Sequence, residues 1–350
     1  MFPSWNLQRS ALAATQPTPA DHESMLRMIT GCCVTQILHA VARFSIADEL
    51  ALRPATAAEL ATRCSLNLDA TRRLLRACAS LGLIAADSQQ RFGSTPLLAT
   101  LRSGSSGSLR ELAMANASPG HWLPWSKFVE AIRTGSPQAF ATLRKSRAEY
   151  YAQNPEESAH VAAATDALSL KLAQEVASLV DTRCASIAAD IGGGGVALIQ
   201  ALLEANPHLH GILYDRPEAV AKPPLTARLL DLKGRLLIEA GDYISSVPRA
   251  DLYLLKYVLH NWDDAMCIRI LSNCRRSLRA GGRLLVIERQ ADDAEDAALG
   301  AVMDLSMLVL TGGRERTVPE YEALYAAAGM RWDKITFTPS SVAVMEVVSR

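Results

Sequence analysis

The 350-residue chain has no net charge to offer a polymer: 36 Lys and Arg are matched by 36 Asp and Glu. Without a basic excess there is no field to hold a phosphate backbone or an anionic lipid surface, so neither nucleic acid nor membrane is expected as a partner. Long apolar runs are also missing. No stretch of about 18 apolar residues runs without a charge, and residues 1–23 lack a basic segment leading into an apolar one, which points to a cytoplasmic protein. The seven cysteines, Cys32, Cys33, Cys64, Cys78, Cys184, Cys267 and Cys274, are odd in number and form no C-x-x-C pair. They read as reduced core residues rather than a disulfide framework, and no metal site is expected. Aromatics make up only 5% of the chain, yet Trp122, Trp125, Phe128 and Phe140 gather within one short segment.

What is present divides into two textures. Up to about residue 180 apolar residues recur at helical spacing, and the first strong strand pattern begins at Ser186. In the first half, Thr56 with Glu59 fits a capping box and Asp69 is placed to cap the helix bearing Leu74, Leu75 and Cys78. Leu83-Ile84 and Arg91-Phe92, separated by the polar Asp87 to Gln90, read as a short hairpin. Helix, helix, helix, hairpin is the order of a winged helix. Between Thr56 and Phe92, Arg63, Arg72, Arg73, Arg76 and Arg91 face only Glu59, Asp69 and Asp87, a surplus too small for a DNA footprint, so dimerisation is the favoured use. The segment from Leu101 to Gly120, rich in Ser and Gly, reads as a surface connection. The aromatic cluster after it reads first as core, with a pocket wall as the alternative for Trp122 and Trp125.

From Cys184 short apolar strands alternate with helices, the pattern of a doubly wound parallel α/β sheet. The last segment, KITFTPSSVAVMEVVSR, gives an antiparallel terminal hairpin, unlike the usual dinucleotide-binding arrangement. Ligands of such sheets bind beyond the carboxyl ends of the strands. The first strand ends in Asp190-Ile191-Gly192-Gly193-Gly194-Gly195, a loop that lets backbone N–H groups approach a ligand. The second ends in Asp215, spaced to accept hydrogen bonds from ribose hydroxyls. The third ends in Gly241-Asp242-Tyr243, a carboxylate for an exocyclic amine beside an aromatic ring for a purine. The fourth runs into Lys256 and then His260-Asn261-Trp262-Asp263-Asp264. Each feature also has a plain structural reading, a turn for the glycines and a cap for a lone Asp215 or Asp242. Their joint placement at successive strand ends favours a nucleoside site.

With these motifs in view, DIGGGG, GDY, ADLYLLKYVLHNWDD, CRRSLRAGGRLLVIER and MDLSMLVLTGGRERTVPEYEALYAAAGM, the chain resembles the S-adenosylmethionine-dependent O-methyltransferases of the plant caffeate type and their bacterial relatives acting on polyketides and phenazines. The resemblance covers most of the chain and implies a winged-helix dimerisation domain at 1–110, a helical linker and substrate-pocket region at 111–180, and a cofactor-binding Rossmann-like domain at 181–350. It implies a homodimer with S-adenosylmethionine as cofactor and a small aromatic acceptor, methylated on a hydroxyl or, alternatively, on a nitrogen of a related heteroaromatic. In that family Asp190, Gly192 and Gly194 shape the methionine end of the site, Asp215 holds the ribose, Asp242 and Tyr243 flank the adenine, and Lys256 and Trp262 match further cofactor contacts. His260 matches the general base, flanked by Glu288 and Glu315. Met303 and Met307 match a substrate-facing helix.

The chemistry agrees with that assignment. Methyl transfer from a sulfonium is an in-line displacement, so the protein must chiefly align the nucleophile and remove its proton. A phenol with pKa ~10 is neutral at pH 7, whereas an imidazole with pKa ~6.5 can accept the proton as oxygen attacks. A carboxylate behind the imidazole would orient it and stabilise its protonated form. The competing readings are a His260 that caps a helix, Glu288 and Glu315 as salt-bridge partners of Arg289, Arg314 and Arg316, and methionines that only fill core. Three departures stand out: Val196 where the family often has another glycine, Asn261 where plant members place Asp, and Tyr243 where Phe is commoner. A nicotinamide-dependent oxidoreductase and a ligand-sensing winged-helix regulator remain as alternatives.

Overall fold

A computed structural model describes residues 16–105, 107–220, 232, 234–291 and 297–350. The chain divides into two compact units, one of residues 1–122 with 156–167 and the other of residues 123–155 with 168–350.

The first unit opens with helices Pro19–Ile29 and Gly31–Arg43, followed by Ile46–Leu52, Ala57–Arg63 and Leu68–Ser80. A two-stranded hairpin of β1 (Ile84–Ala86) and β2 (Phe92–Ser94) comes next, antiparallel as the sequence implies. The capping box at Thr56 is present: Glu59 N donates to Thr56 Oγ1 at 3.2 Å, and Glu59 takes Thr56 N at 2.7 Å. Asp69 does not cap its helix. Asn67 does so, its Oδ1 accepting from Ala70 N at 3.0 Å, because the helix begins two residues earlier than the pattern suggests and leaves Asp69 in its first turn, where its charge favours the positive helix end. The hairpin turn is built by Asp87, whose Oδ1 accepts from the backbone N–H groups of Gln89 and Arg91, each at 2.9 Å. Val41, Ile46, Leu50, Leu60, Leu75, Cys78 and Leu98 close a core of this unit. The Ser- and Gly-rich segment is only partly a connection, since Arg110–Ala117 is a helix that buries Met114 and Ala115. Among the described residues no single helix is long and apolar enough to cross a membrane; Pro19–Ile29 and Gly31–Arg43 reach that length only together, bent by 46°. Met25, Leu26 and Ile29 on the first of them are exposed.

The second unit is organised by a seven-stranded sheet of β3 (Ile187–Ile191), β4 (His210–Asp215), β5 (Leu236–Ala240), β6 (Ala250–Lys256), β7 (Leu278–Glu288), β8 (Met330–Phe337) and β9 (Ala343–Ser349). Their order is β5-β4-β3-β6-β7-β9-β8. The first five are parallel, and β9 enters antiparallel between β7 and β8. That inserted strand is the terminal hairpin expected from the sequence, and it separates this sheet from the all-parallel dinucleotide-binding order. The apolar runs are buried on both faces. Tyr253, Leu255, Leu284 and Val286 enter one core, while Leu252, Leu254, Leu285 and Ile287 enter the other, the alternation that a strand imposes. Each such side chain contributes roughly 1.5–3 kcal/mol by leaving water. The two cores hold the strand ends, and with them the loops that carry chemistry, on rigid elements.

Candidate active site

The glycine loop follows β3 and opens the helix Ala197–Ala205. Asp190 at the end of β3 is fully buried, and neither of its carboxylate oxygens has a hydrogen-bond partner among the described residues. Burial pushes its carboxyl up to about 7, with Lys256 pulling it down and Asp215 pushing it further up. The loop folds over this carboxylate: a Cβ on Gly193 would lie 2.8 Å from Asp190 Oδ2. Gly192, at φ +66°, lies against Val258 and Tyr243, where a Cβ would come within 3.1 and 3.3 Å of their side chains. Asp215, at the end of β4, accepts from Gly194 N at 3.0 Å and from Arg216 N at 2.7 Å, tying the loop to the neighbouring strand end. A Cβ on Gly194, at φ +62°, would meet nothing within 4 Å, so the loop borders open space at this residue. Tyr243 is buried and meets Trp262 edge-on at 6.4 Å between ring centroids. Lys256 is buried and donates to Ser169 Oγ at 2.5 Å.

The structure therefore brings Asp190, Gly192, Gly194, Asp215, Tyr243, Lys256 and Trp262 to one edge of the sheet. Asp242 is different in kind. It is exposed, its Oδ1 accepts from Ile244 N at 3.0 Å and its Oδ2 from Ser245 Oγ at 2.6 Å, so it caps the turn after β5 as a short polar side chain does.

Two residues beyond Val258, the same loop carries His260 in a single 3₁₀ turn, Leu259–Asn261. His260 Nδ1 is 2.9 Å from Glu315 Oε1 and 3.6 Å from Glu288 Oε2. Its imidazole stacks on Tyr257 at 5.5 Å and makes no hydrogen bond through Nε2 among the described residues. Glu288, fully buried at the end of β7, accepts from Leu259 N at 2.9 Å, so the carboxylate also holds the turn that presents the imidazole. Burial draws the His260 pKa down, but the charges of Glu288 and Glu315 and the Glu315 hydrogen bond outweigh it, and the net shift is upward. Burial likewise raises Glu288 above the usual carboxylate range, against the pull of His260. The two shifts describe one proton shared within a buried cluster. The three ligand atoms lie within 4.8 Å of one another, near enough to share a proton or seat a small cation.

Arg314 and Arg316 both pair with Asp264, at 2.6 and 2.8 Å, which leaves Glu315 turned to His260. Asp304, one residue after Met303, accepts from Glu315 N at 2.8 Å. Met303 and Met307 are half-buried on the helix Ala297–Leu310 that also carries Asp304. The aromatic segment is not one cluster. Trp125 and Phe128 pair at 5.2 Å and pack with Ala131, Leu308, Val309 and Leu310, Phe140 is exposed, and Trp122 belongs to the first unit. Tyr257 escaped the sequence reading. Its φ of +55°, uncommon for an aromatic residue, is visible only in three dimensions, and Asn261 Nδ2 supports it by donating to Tyr257 O at 3.0 Å. Burial pushes its phenol up to about 12.

A model of the O-methyltransferase domain matches residues 125–331, and a model of the O-methyltransferase dimerisation domain matches residues 26–103. The chain belongs to the O-methyltransferase family. It is similar to the phenazine O-methyltransferase of Lysobacter antibioticus, 34% identical over 326 residues, spanning 92% of this chain and 94% of that one. It is similar to the 8-amino-8-demethylriboflavin N,N-dimethyltransferase of Streptomyces davaonensis, 30% identical over 325 residues, with 90% and 93% of the two chains covered. Among solved structures it resembles an O-methyltransferase of neocarzinostatin biosynthesis in complex with S-adenosylhomocysteine and 1,4-dihydroxy-2-naphthoic acid, with a TM-score of 0.79, 30% identity, and 91% and 96% of the chains covered. The residues of this O-methyltransferase fit a charged nucleoside cofactor: the buried carboxylate of Asp190, without a hydrogen-bond partner among the described residues, and the glycine loop bordering open space at Gly194 supply a counter-charge and a close backbone approach.

Proposed function

We propose that this O-methyltransferase moves a methyl group from S-adenosylmethionine to a hydroxyl of a small, planar aromatic natural product, with His260 as general base. The observation that carries the reading is the half-buried His260 with Glu315 at 2.9 Å and Glu288 at 3.6 Å, in a loop whose Val258 packs on Gly192 of the cofactor loop. S-adenosylmethionine supplies a methyl group on a positively charged sulfur, open to displacement by an oxygen in line with the departing bond. Asp190 and the Gly192–Gly194 loop would hold its methionine end, Asp215 its ribose, and Tyr243 with Trp262 its base. Lys256, a neighbour of Asp190, would hold that carboxylate's charge in place. Asp242 would reach an exocyclic amine through the lone pairs its turn leaves open.

His260 takes the phenolic proton on Nε2. Glu315 accepts from Nδ1–H, which fixes the tautomer, and its charge stabilises the imidazolium that forms. Glu288 contributes a second charge from its place behind the turn. Met303 and Met307, four residues apart on one side of their helix, would form an adaptable apolar wall for the ring, with Trp125 of the same unit as a further wall residue. An oxygen acceptor is favoured over nitrogen because a phenol needs a base to take its proton as it attacks, whereas an amine attacks in its neutral form. The exposed Met25, Leu26 and Ile29 and the dimerisation-domain match support a homodimer.

The test is transfer of labelled methyl from S-adenosylmethionine to a panel of hydroxyphenazines, dihydroxynaphthoates and amino-hydroxybenzoates, with aminated analogues alongside. Labelled methyl ethers support the reading. Labelling of the amines alone would replace it with N-methylation.

A further inference from the structure

The turn that carries Glu315 approaches the His260 loop closely enough that a missing side chain matters. A Cβ on Gly313 would lie 1.9 Å from His260 O, 2.6 Å from the Asn261 carbonyl carbon and 2.8 Å from Asn261 Cα. No side chain fits there unless one of the two backbones withdraws, and backbone is the part least able to yield. Gly312, at φ +80°, makes the preceding corner, with Pro137 3.2 Å from its Cβ position. Three residues on from Gly313, Arg316 turns back under the same loop. It is fully buried, and its guanidinium donates to Leu259 O at 3.1 Å and Trp262 O at 2.8 Å, the carbonyls on either side of His260-Asn261, and to Asp264 Oδ1 at 2.8 Å. A planar fork spans these acceptors with donors on two separate nitrogens, a reach and a fixed geometry that a single ammonium nitrogen lacks.

We propose that Gly313 and Arg316 are positioning residues that lock the Glu315 turn onto the His260 loop and so set the His260–Glu315 contact on which proton removal depends. Gly313 gives the two backbones their contact, Arg316 clamps the loop from beneath, and Glu315, between them in sequence, is delivered to Nδ1. Asp304 anchors the same turn through Glu315 N. The groups bearing on the imidazole are then Glu288 from β7, Glu315 and Arg316 from the turn, and Tyr257 stacked on its face. This inference rests on the base reading only for its effect on turnover. Its geometric content is independent of that reading.

The experiment uses the full-length enzyme as Gly313→Ala and as Arg316→Lys, the second keeping the charge opposite Asp264 while losing the fork. Three readouts are taken: S-adenosylhomocysteine affinity, turnover, and the titration midpoint of His260 from ¹³Cε1-histidine NMR, the resonance assigned by its loss in His260→Ala. Both variants should bind S-adenosylhomocysteine within about threefold of wild type, while turnover falls about 10- to 100-fold, the scale of a sub-ångström to 1 Å misplacement. The His260 midpoint should fall toward the ordinary imidazole value of about 6.5, because the imidazole parts from its carboxylate. A merely structural role would not move that midpoint. An unchanged midpoint in both variants overturns the proposal, as does loss of cofactor binding in both, which would make the turn a holder of the fold. A fallen midpoint with unchanged turnover supports the lock and removes His260 as base.

Discussion

Replacing Glu315 with Gln keeps the shape of the side chain beside His260 and deletes its charge. The contact is a charge-assisted hydrogen bond of 2.9 Å between groups that are nearly out of water, so solvent screens it little. Bonds of this kind contribute about 1.5–3 kcal/mol to the charged pair. At about 1.4 kcal/mol per pH unit, the His260 midpoint should fall by about 1–2 units. The sign follows from the raised imidazole: turnover needs the neutral ring, so in wild type it is lost as pH falls through a midpoint above 6.5. In Glu315→Gln that acid limb moves 1–2 units further toward acid. With roughly half of the proton transferred in the transition state, a base weaker by about 1–2 units also lowers the alkaline plateau about three- to tenfold. The assay is the initial rate of methyl transfer at saturating cofactor and acceptor from pH 5.5 to 9. An acid limb that stays in place, or one that moves toward alkali, refutes the argument that Glu315 sets the basicity of His260.

Asp215→Ala should weaken S-adenosylhomocysteine binding about 10- to 100-fold in calorimetry, since it removes a charged acceptor and frees Gly194 N at once; binding within twofold of wild type would remove Asp215 from the cofactor site. Asp190 has a pKa raised to about 7 from 3.8, so the folded state keeps a proton that the unfolded chain has lost, and stability falls as pH rises through that window. Asp190→Asn should therefore melt a few degrees higher than wild type at pH 8, match it near pH 4, and bind S-adenosylhomocysteine less tightly; a lower melting temperature at pH 8 would show the ionised carboxylate to be stabilising. The His260, Glu288 and Glu315 cluster holds a proton in this account, not a metal ion. Dialysis against EDTA should leave turnover within about twofold of the untreated enzyme, and recovery by a divalent cation after a larger loss would contradict it.

Much of the second unit could be read before its structure was known, because its strands are short apolar runs bounded by Gly and Asp and their ends carry residue types with few structural uses in combination. The loop after β6 and the turn at Gly312-Gly313 were legible as motifs. Their mutual contact was not, since nothing in the residue types tells how near Gly313 lies to His260 O. Arg316 looked like a salt-bridge partner for Glu315 because it is adjacent in sequence and opposite in charge. It is buried instead, and it binds backbone carbonyls and Asp264, an arrangement that depends on the fold turning the two side chains apart. Asp242 and Asp69 illustrate the opposite limit: a short carboxylate at an element boundary suits a ligand, a cap or a first turn equally well, and local backbone geometry decides. The aromatic segment failed as a cluster because nearness in sequence does not place Trp122 and Trp125 in one unit.

The central claim is that the chain removes a phenolic proton with His260 while other residues hold the cofactor. A single-turnover measurement on His260→Ala, mixed rapidly with the best acceptor of the panel after loading with S-adenosylmethionine, separates the two functions. The account predicts S-adenosylhomocysteine affinity within about threefold of wild type and methyl transfer slower by at least about 100-fold, the range set by general base catalysis. Transfer within threefold of the wild-type rate at equal cofactor affinity would contradict it and leave alignment alone as the source of catalysis.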